Sequence, residues 1–64
     1  MPTVNIQLFE GRTVDEKRKL AEKLTGAVME ALNVPPEAVR IMITEMPREN
    51  LAVGGVLNID KGKK

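Results

Sequence analysis

The sequence predicts an α/β fold: a β-α-β subunit with two parallel strands and one crossover helix, a short C-terminal β-hairpin, and assembly of several copies into an oligomer. Three observations carry this reading. Residues 3–9 and 39–46 alternate apolar and polar side chains, with the period of two of a half-buried strand. Between them, apolar residues recur at spacings of three and four, the signature of an amphipathic helix. Finally, the chain has 64 residues, with no cysteine and no histidine. A domain of that size buries only ~60% of the surface its unfolded chain exposes. Neither a disulfide nor a zinc site of the usual ligands can make up the deficit, which leaves association with other copies. With 42% hydrophobic and 30% charged residues, the composition is that of a folded globular domain rather than a disordered tail.

In the first strand Val4, Ile6 and Leu8 share one face, and Thr3, Asn5, Gln7 and Phe9 share the other. Glu10-Gly11-Arg12 breaks the alternation, and Thr13-Val14-Asp15-Glu16 has the S/T-x-x-E form of a capping box, so a helix starts there. Its apolar positions are Leu20, Ala21, Leu24, Ala27, Val28, Ala31 and Leu32, with Asp15, Lys19, Glu22 and Lys23 on the wet side. Asp15 and Lys19 stand four apart, in the order that favours an ion pair worth ~0.2–0.5 kcal/mol. Gly26 costs this helix ~1 kcal/mol relative to alanine, and close packing against a neighbour is the reading preferred over drift. Asn33 can adopt a left-handed cap, and Pro35-Pro36 stop the helix near Leu32, with room for a short turn over Glu37 and Ala38.

The second strand, residues 39–46, places Val39, Ile41 and Ile43 on one face and Arg40, Met42, Thr44 and Met46 on the other. Pro47 closes it. Residues 51–57 then read as a hairpin whose Gly54-Gly55 turn allows positive φ. Strand, helix, strand implies a crossover between parallel strands, with the helix on one sheet face. The other face, carrying Phe9, Met42 and Met46 among Asn5, Gln7, Arg40 and Thr44, is left open. Parallel sheets occur almost only with both faces covered, so another subunit must cover it. The hairpin can pair with a neighbour's sheet edge. Two interfaces per chain are enough to build something larger than a dimer.

Ten basic and nine acidic residues give a net charge of +1, which argues against a nucleic-acid partner bound by phosphate neutralisation. Phe9 is the sole aromatic residue, so base stacking is not available either. No apolar run approaches the length of a membrane span, and nothing at the N-terminus resembles a signal peptide. The expectation is a cytoplasmic protein forming one domain over residues 2–64, with Met1 removed and residues 59–64 a frayed basic tail.

The usual catalytic parts are missing: there is no histidine or cysteine, no nucleophile triad, no phosphate loop and no metal-ligand cluster. The unusual base on offer is the chain end. Met1 precedes Pro2, a small residue that permits removal of the initiator methionine, and removal exposes a secondary amine. Pro2 alone means little, because many proteins begin Met-Pro. Its company changes that. Pro2 opens a strand directly, Glu10-Gly11-Arg12 follows it, and Val39-Arg40-Ile41-Met42-Ile43-Thr44-Glu45-Met46 precedes Gly54-Gly55. Together these resemble the 4-oxalocrotonate tautomerase family, whose members use an N-terminal proline, and the resemblance runs without a gap from Pro2 to Gly55.

The resemblance implies a homo-oligomer, a hexamer built as a trimer of dimers, with active sites shared between chains. It implies Pro2 as general base and Arg40 as its catalytic partner. Arg12 and Arg40 would hold the carboxylate and carbonyl groups of a small carboxylic acid substrate, from different subunits. It implies no cofactor and no metal. Leu51 stands where the best-known members carry a phenylalanine in the site wall, which keeps the pocket apolar but alters its shape.

Physical chemistry supports these roles independently. A proline amine is too basic to serve at neutral pH unless burial and nearby cations destabilise its ammonium form. An arginine's planar fork suits a carboxylate and the charge that builds on a dienolate oxygen. A cation at a helix entry such as Arg12 is electrostatically disfavoured. A charge at Arg40, read as mid-strand among apolar residues, needs a partner, either a ligand or a glutamate of another subunit. Two other functions stay open on the sequence. One is a non-catalytic interaction module, in which the arginines serve assembly. The other is a related hydratase or decarboxylase; the former is weakened because Val53 lies near where an activating carboxylate would be expected.

Overall fold

The computed structural model describes residues 1–62. Strand β1 (Thr3–Phe9) leads through a turn at Gly11 into helix α1 (Val14–Leu32). A one-turn 3-10 helix (Pro36–Ala38) then feeds strand β2 (Arg40–Met46). A second such turn (Arg48–Asn50) precedes the two-residue strands β3 (Ala52–Val53) and β4 (Val56–Leu57), and a third follows at Asn58–Asp60. β1 and β2 pair in parallel, from Thr3 opposite Arg40 to Phe9 opposite Met46. The ladder extends one bond beyond each end: the Arg40 amide donates to the Pro2 carbonyl at 2.9 Å, and the Glu10 amide to the Met46 carbonyl at 3.0 Å.

The helix begins where the capping box predicts. The Glu16 amide donates to the Thr13 side-chain oxygen at 3.1 Å, and the Thr13 amide to the Glu16 carboxylate at 2.9 Å. It ends on Asn33 in the left-handed conformation, φ 56° and ψ 53°, before the prolines. Gly54 and Gly55 have φ of 62° and 84°, the two positive angles that join β3 and β4 in a tight turn matching the strand twist.

Five local expectations change. The second strand starts at Arg40 rather than Val39. Asp15 pairs with Arg18, one turn on, rather than with Lys19. On α1 the half-covered positions are Lys17, Leu20, Ala21, Leu24, Thr25, Val28 and Met29, while Ala27, Ala31 and Leu32 are exposed. The 19-residue helix, ~28 Å long, is longer than the seven-residue strands, which span roughly 23 Å and cannot cover its whole length. Gly26 packs against nothing in this chain, since a Cβ there would have open space around it. Of the stretch read as a frayed tail, Ile59 and Asp60 belong to the third 3-10 turn, whose Asn58 amide donates to the Leu51 carbonyl at 2.8 Å; Lys63 and Lys64 lie outside the described residues.

The alternation predicts the sheet's two faces correctly. Val4, Ile6, Leu8, Ile41 and Ile43 are half-buried, and Thr3, Asn5, Gln7, Arg40, Met42 and Thr44 are exposed. Lys17 of α1 reaches Glu45 at 2.8 Å, which identifies the covered face, because Glu45 sits opposite Leu8 in the ladder. Neither residue of that pair was singled out by the sequence. No described residue is fully buried. The chain exposes 5218 Å², against about 4,100 Å² for a compact 7.1 kDa monomer. Its radius of gyration is 15.4 Å, against about 11 Å for a compact chain of this length. These two excesses state in numbers what the open sheet face implies: the single chain is a layer without a closed core.

Candidate active site

Pro2 sits immediately before β1, half-buried, its carbonyl fixed by the Arg40 amide at 2.9 Å. That backbone bond is the reason the two residues share one end of the sheet. Arg40 is the first residue of β2, opposite Thr3, and is exposed on the open face. Its position at the strand's start corrects the mid-strand reading and removes the burial cost attached to it. Among the described residues no ion pair occupies the Arg40 guanidinium. Met1 is 80% exposed ahead of Pro2.

Arg12 lies at the other end. It follows Gly11, whose φ of +115° suits glycine and turns the chain out of β1, and it reaches Glu16 at 3.3 Å across one turn of α1. All of β1 therefore separates Arg12 from Pro2 of its own chain, roughly 23 Å of extended backbone. Leu51 is at this far end too. With Phe9, Met46 and Gln7 it lines an apolar cleft of about 180 Å³. Beside it runs a groove of about 500 Å³ lined by Gln7, Phe9, Glu10, Arg12 and Arg48. The sequence-predicted residues thus fall into two groups, Pro2 with Arg40 and Arg12 with Leu51, and one chain does not bring them together.

The far end also contains residues the sequence analysis did not assign to the site. The Arg48 guanidinium lies 4.5 Å from the centre of the Phe9 ring, within the range of a cation–π contact. Phe9 ends β1 opposite Met46, and Pro47 then directs the chain into the turn that carries Arg48. The signal in the sequence was an aromatic residue on the open face and a basic residue just after the proline that ends the facing strand; pairing them required the register.

The fold makes the Glu16 carboxyl more acidic. The Thr13 amide holds its carboxyl below the ordinary glutamate range, and Arg12 acts in the same direction. The same carboxylate that caps α1 therefore partly neutralises Arg12. No group of three His, Cys, Asp or Glu residues able to hold a metal ion occurs among the described residues, and no described helix is long and apolar enough to cross a membrane.

Residues 2–60 match the family model of tautomerase enzymes. A probable tautomerase of Bacillus cereus is 44% identical over 61 residues, covering 95% of this chain and all of the relative. The 2-hydroxymuconate tautomerase of Comamonas testosteroni is 36% identical over 63 residues, covering 98% of this chain and all of that enzyme. Among solved structures, a heterohexameric 4-oxalocrotonate tautomerase from Chloroflexus aurantiacus superposes with a TM-score of 0.88 at 34% identity, over 95% of this chain and 98% of the other.

Proposed function

The chain belongs to the tautomerase family and is an isomerase of the 4-oxalocrotonate tautomerase type; from that premise we propose that it catalyses cofactor-independent keto–enol tautomerisation of small 2-hydroxydienoate and 2-oxo acids such as 2-hydroxymuconate. The observation that carries the proposal is the division of the site residues. Pro2 and Arg40 stand at one end of the sheet, and Arg12 and Leu51 at the other. A site using all four needs the ends of different chains in apposition, and a homo-hexamer of six such layers supplies it. The solved relative named as a heterohexamer supports an assembly of that order.

In the proposed reaction Met1 has been removed and the Pro2 nitrogen is a free secondary amine. It takes the proton from the enol hydroxyl of the substrate and returns it to a more distant carbon of the conjugated chain, so that the enol becomes a ketone and no proton is lost overall. Negative charge passes through the dienolate oxygen, where Arg40 stabilises it more than it stabilises the neutral enol. Arg12, from another chain, holds a substrate carboxylate. Enclosure by the apolar wall of Leu51 and the two guanidinium charges both disfavour the prolinium form, which brings the amine toward the working pH.

The test is turnover of 2-hydroxymuconate, followed by ultraviolet absorbance, in Pro2→Ala and in a chain that retains Met1. A positioned general base contributes ~10²–10⁴-fold, so both should fall by at least about 10²-fold: Pro2→Ala removes the cyclic secondary amine, and retained Met1 makes the Pro2 nitrogen an amide without a basic lone pair. Near-normal kcat in either would defeat the proposal.

A further inference from the structure

We propose that Arg48, stacked on Phe9, is a specificity-determining residue that with Arg12 forms a two-arginine subsite for the second carboxylate of a dicarboxylate substrate. This rests on the tautomerase reading and extends it to substrate class. The groove at the C-terminal ends of β1 and β2 holds two guanidiniums, Arg12 and Arg48, and one carboxylate, Glu10, with Gln7 as a neutral donor and acceptor. The two arginines are not equivalent. Arg12 already meets Glu16 at 3.3 Å, and that carboxylate is tied into the helix cap by the Thr13 amide, so an anion arriving at Arg12 competes with a fixed internal counter-charge. Arg48 has no carboxylate partner among the ion pairs of the described residues; its guanidinium lies against the face of Phe9.

An aromatic face orients a guanidinium without consuming its N–H donors, which stay available at the edge for a carboxylate. The turn of Arg48–Asn50 fixes the backbone beneath it, closed by the Asn50 amide on the Pro47 carbonyl at 2.9 Å. Arg48 therefore supplies the positive charge that Glu16 takes from Arg12. The adjoining cleft of Phe9, Met46 and Leu51 is apolar and suits the flat carbon chain that links two carboxylates. A monocarboxylate anchored at its reacting end leaves this subsite unused, whereas a dicarboxylate fills it.

Calorimetric titration of the full assembly with trans,trans-muconate and with sorbate tests this, because both are unreactive six-carbon dienoic acids and differ in the second carboxylate. The wild-type chain should bind muconate more tightly than sorbate. Arg48→Ala should reduce that ratio about tenfold, the worth of one partly exposed charge-assisted bond, with sorbate affinity unchanged, and Arg48→Lys should fall between the two. A ratio that is unchanged in Arg48→Ala, equal weakening of both acids, or a wild-type chain that does not prefer muconate overturns the proposal. Because binding is read without turnover, these outcomes are separate from those of the Pro2 variants: activity that survives Pro2→Ala removes the mechanism while the muconate-to-sorbate ratio still reports on Arg48.

Discussion

Dilution should unfold this protein. The chain exposes 5218 Å² and has no fully buried residue among those described, which leaves about 1,100 Å² beyond what a compact monomer of its mass would show. A standard interface buries about 800 Å² on each partner, so the excess is larger than one such contact. In the proposed assembly a layer with so little interior holds its fold through its neighbours, and unfolding is then coupled to dissociation. For six chains, each tenfold dilution lowers stability by five-sixths of RT ln 10 per chain, about 1.1 kcal/mol. For a domain near this size that shifts the melting temperature by roughly 5–8 °C per decade. Circular dichroism melts from about 100 µM to about 1 µM, with sedimentation velocity at each concentration, would measure it. Met42→Asp should enlarge the effect. Met42 is 48% exposed on the open face, and covering an unpaired carboxylate there costs several kcal/mol, so the variant should sediment as smaller species. A melting temperature independent of concentration, with a monomeric mass and native helicity, would refute the reasoning.

Three further outcomes follow from the same geometry. Arg40→Ala should lower kcat/KM for 2-hydroxymuconate by roughly 10–100-fold, the worth of a charge-assisted hydrogen bond in the transition state, while Arg40→Lys recovers part of it; an unchanged kcat/KM removes Arg40 from the site. Thr13→Ala should cost about 1 kcal/mol of stability by uncapping α1, seen as a lower urea midpoint. Because Glu16 is a carboxylate whose folded acidity is shifted downward, its contribution is complete above its unfolded pKa and is lost as pH falls through the folded one. Stability should therefore decline on acidification through the carboxylate range, and less steeply in Glu16→Gln, whose midpoint is already lowered at neutral pH; parallel slopes in the two proteins would count against the cap's role.

How far each feature could be read in advance depended on the range of the interaction that sets it. The cap at Thr13 and Glu16, the left-handed Asn33 and the Gly54-Gly55 turn are each determined by a few adjacent residues, so local chemistry was sufficient. The strand alternation likewise assigned the two sheet faces. The tilt of the apolar stripe on α1, which brings Met29 in and leaves Leu32 out, depends on where a long helix crosses short strands, and periodicity does not contain that. Nor does it contain the pairing of Lys17 with Glu45, which joins residues 28 positions apart across two elements.

From its residues alone, this chain declared a β-α-β layer too thin to stand alone and a proline directly after Met1 accompanied by two arginines. Only the tertiary structure decided where those groups stand. The parallel register places Pro2 and Arg40 at one end of the sheet and Phe9, Arg12, Arg48 and Leu51 at the other. The reason is physical: hydrogen-bonded register is a long-range property, and it converts positions far apart in the chain into two separate ends, each carrying part of the proposed site.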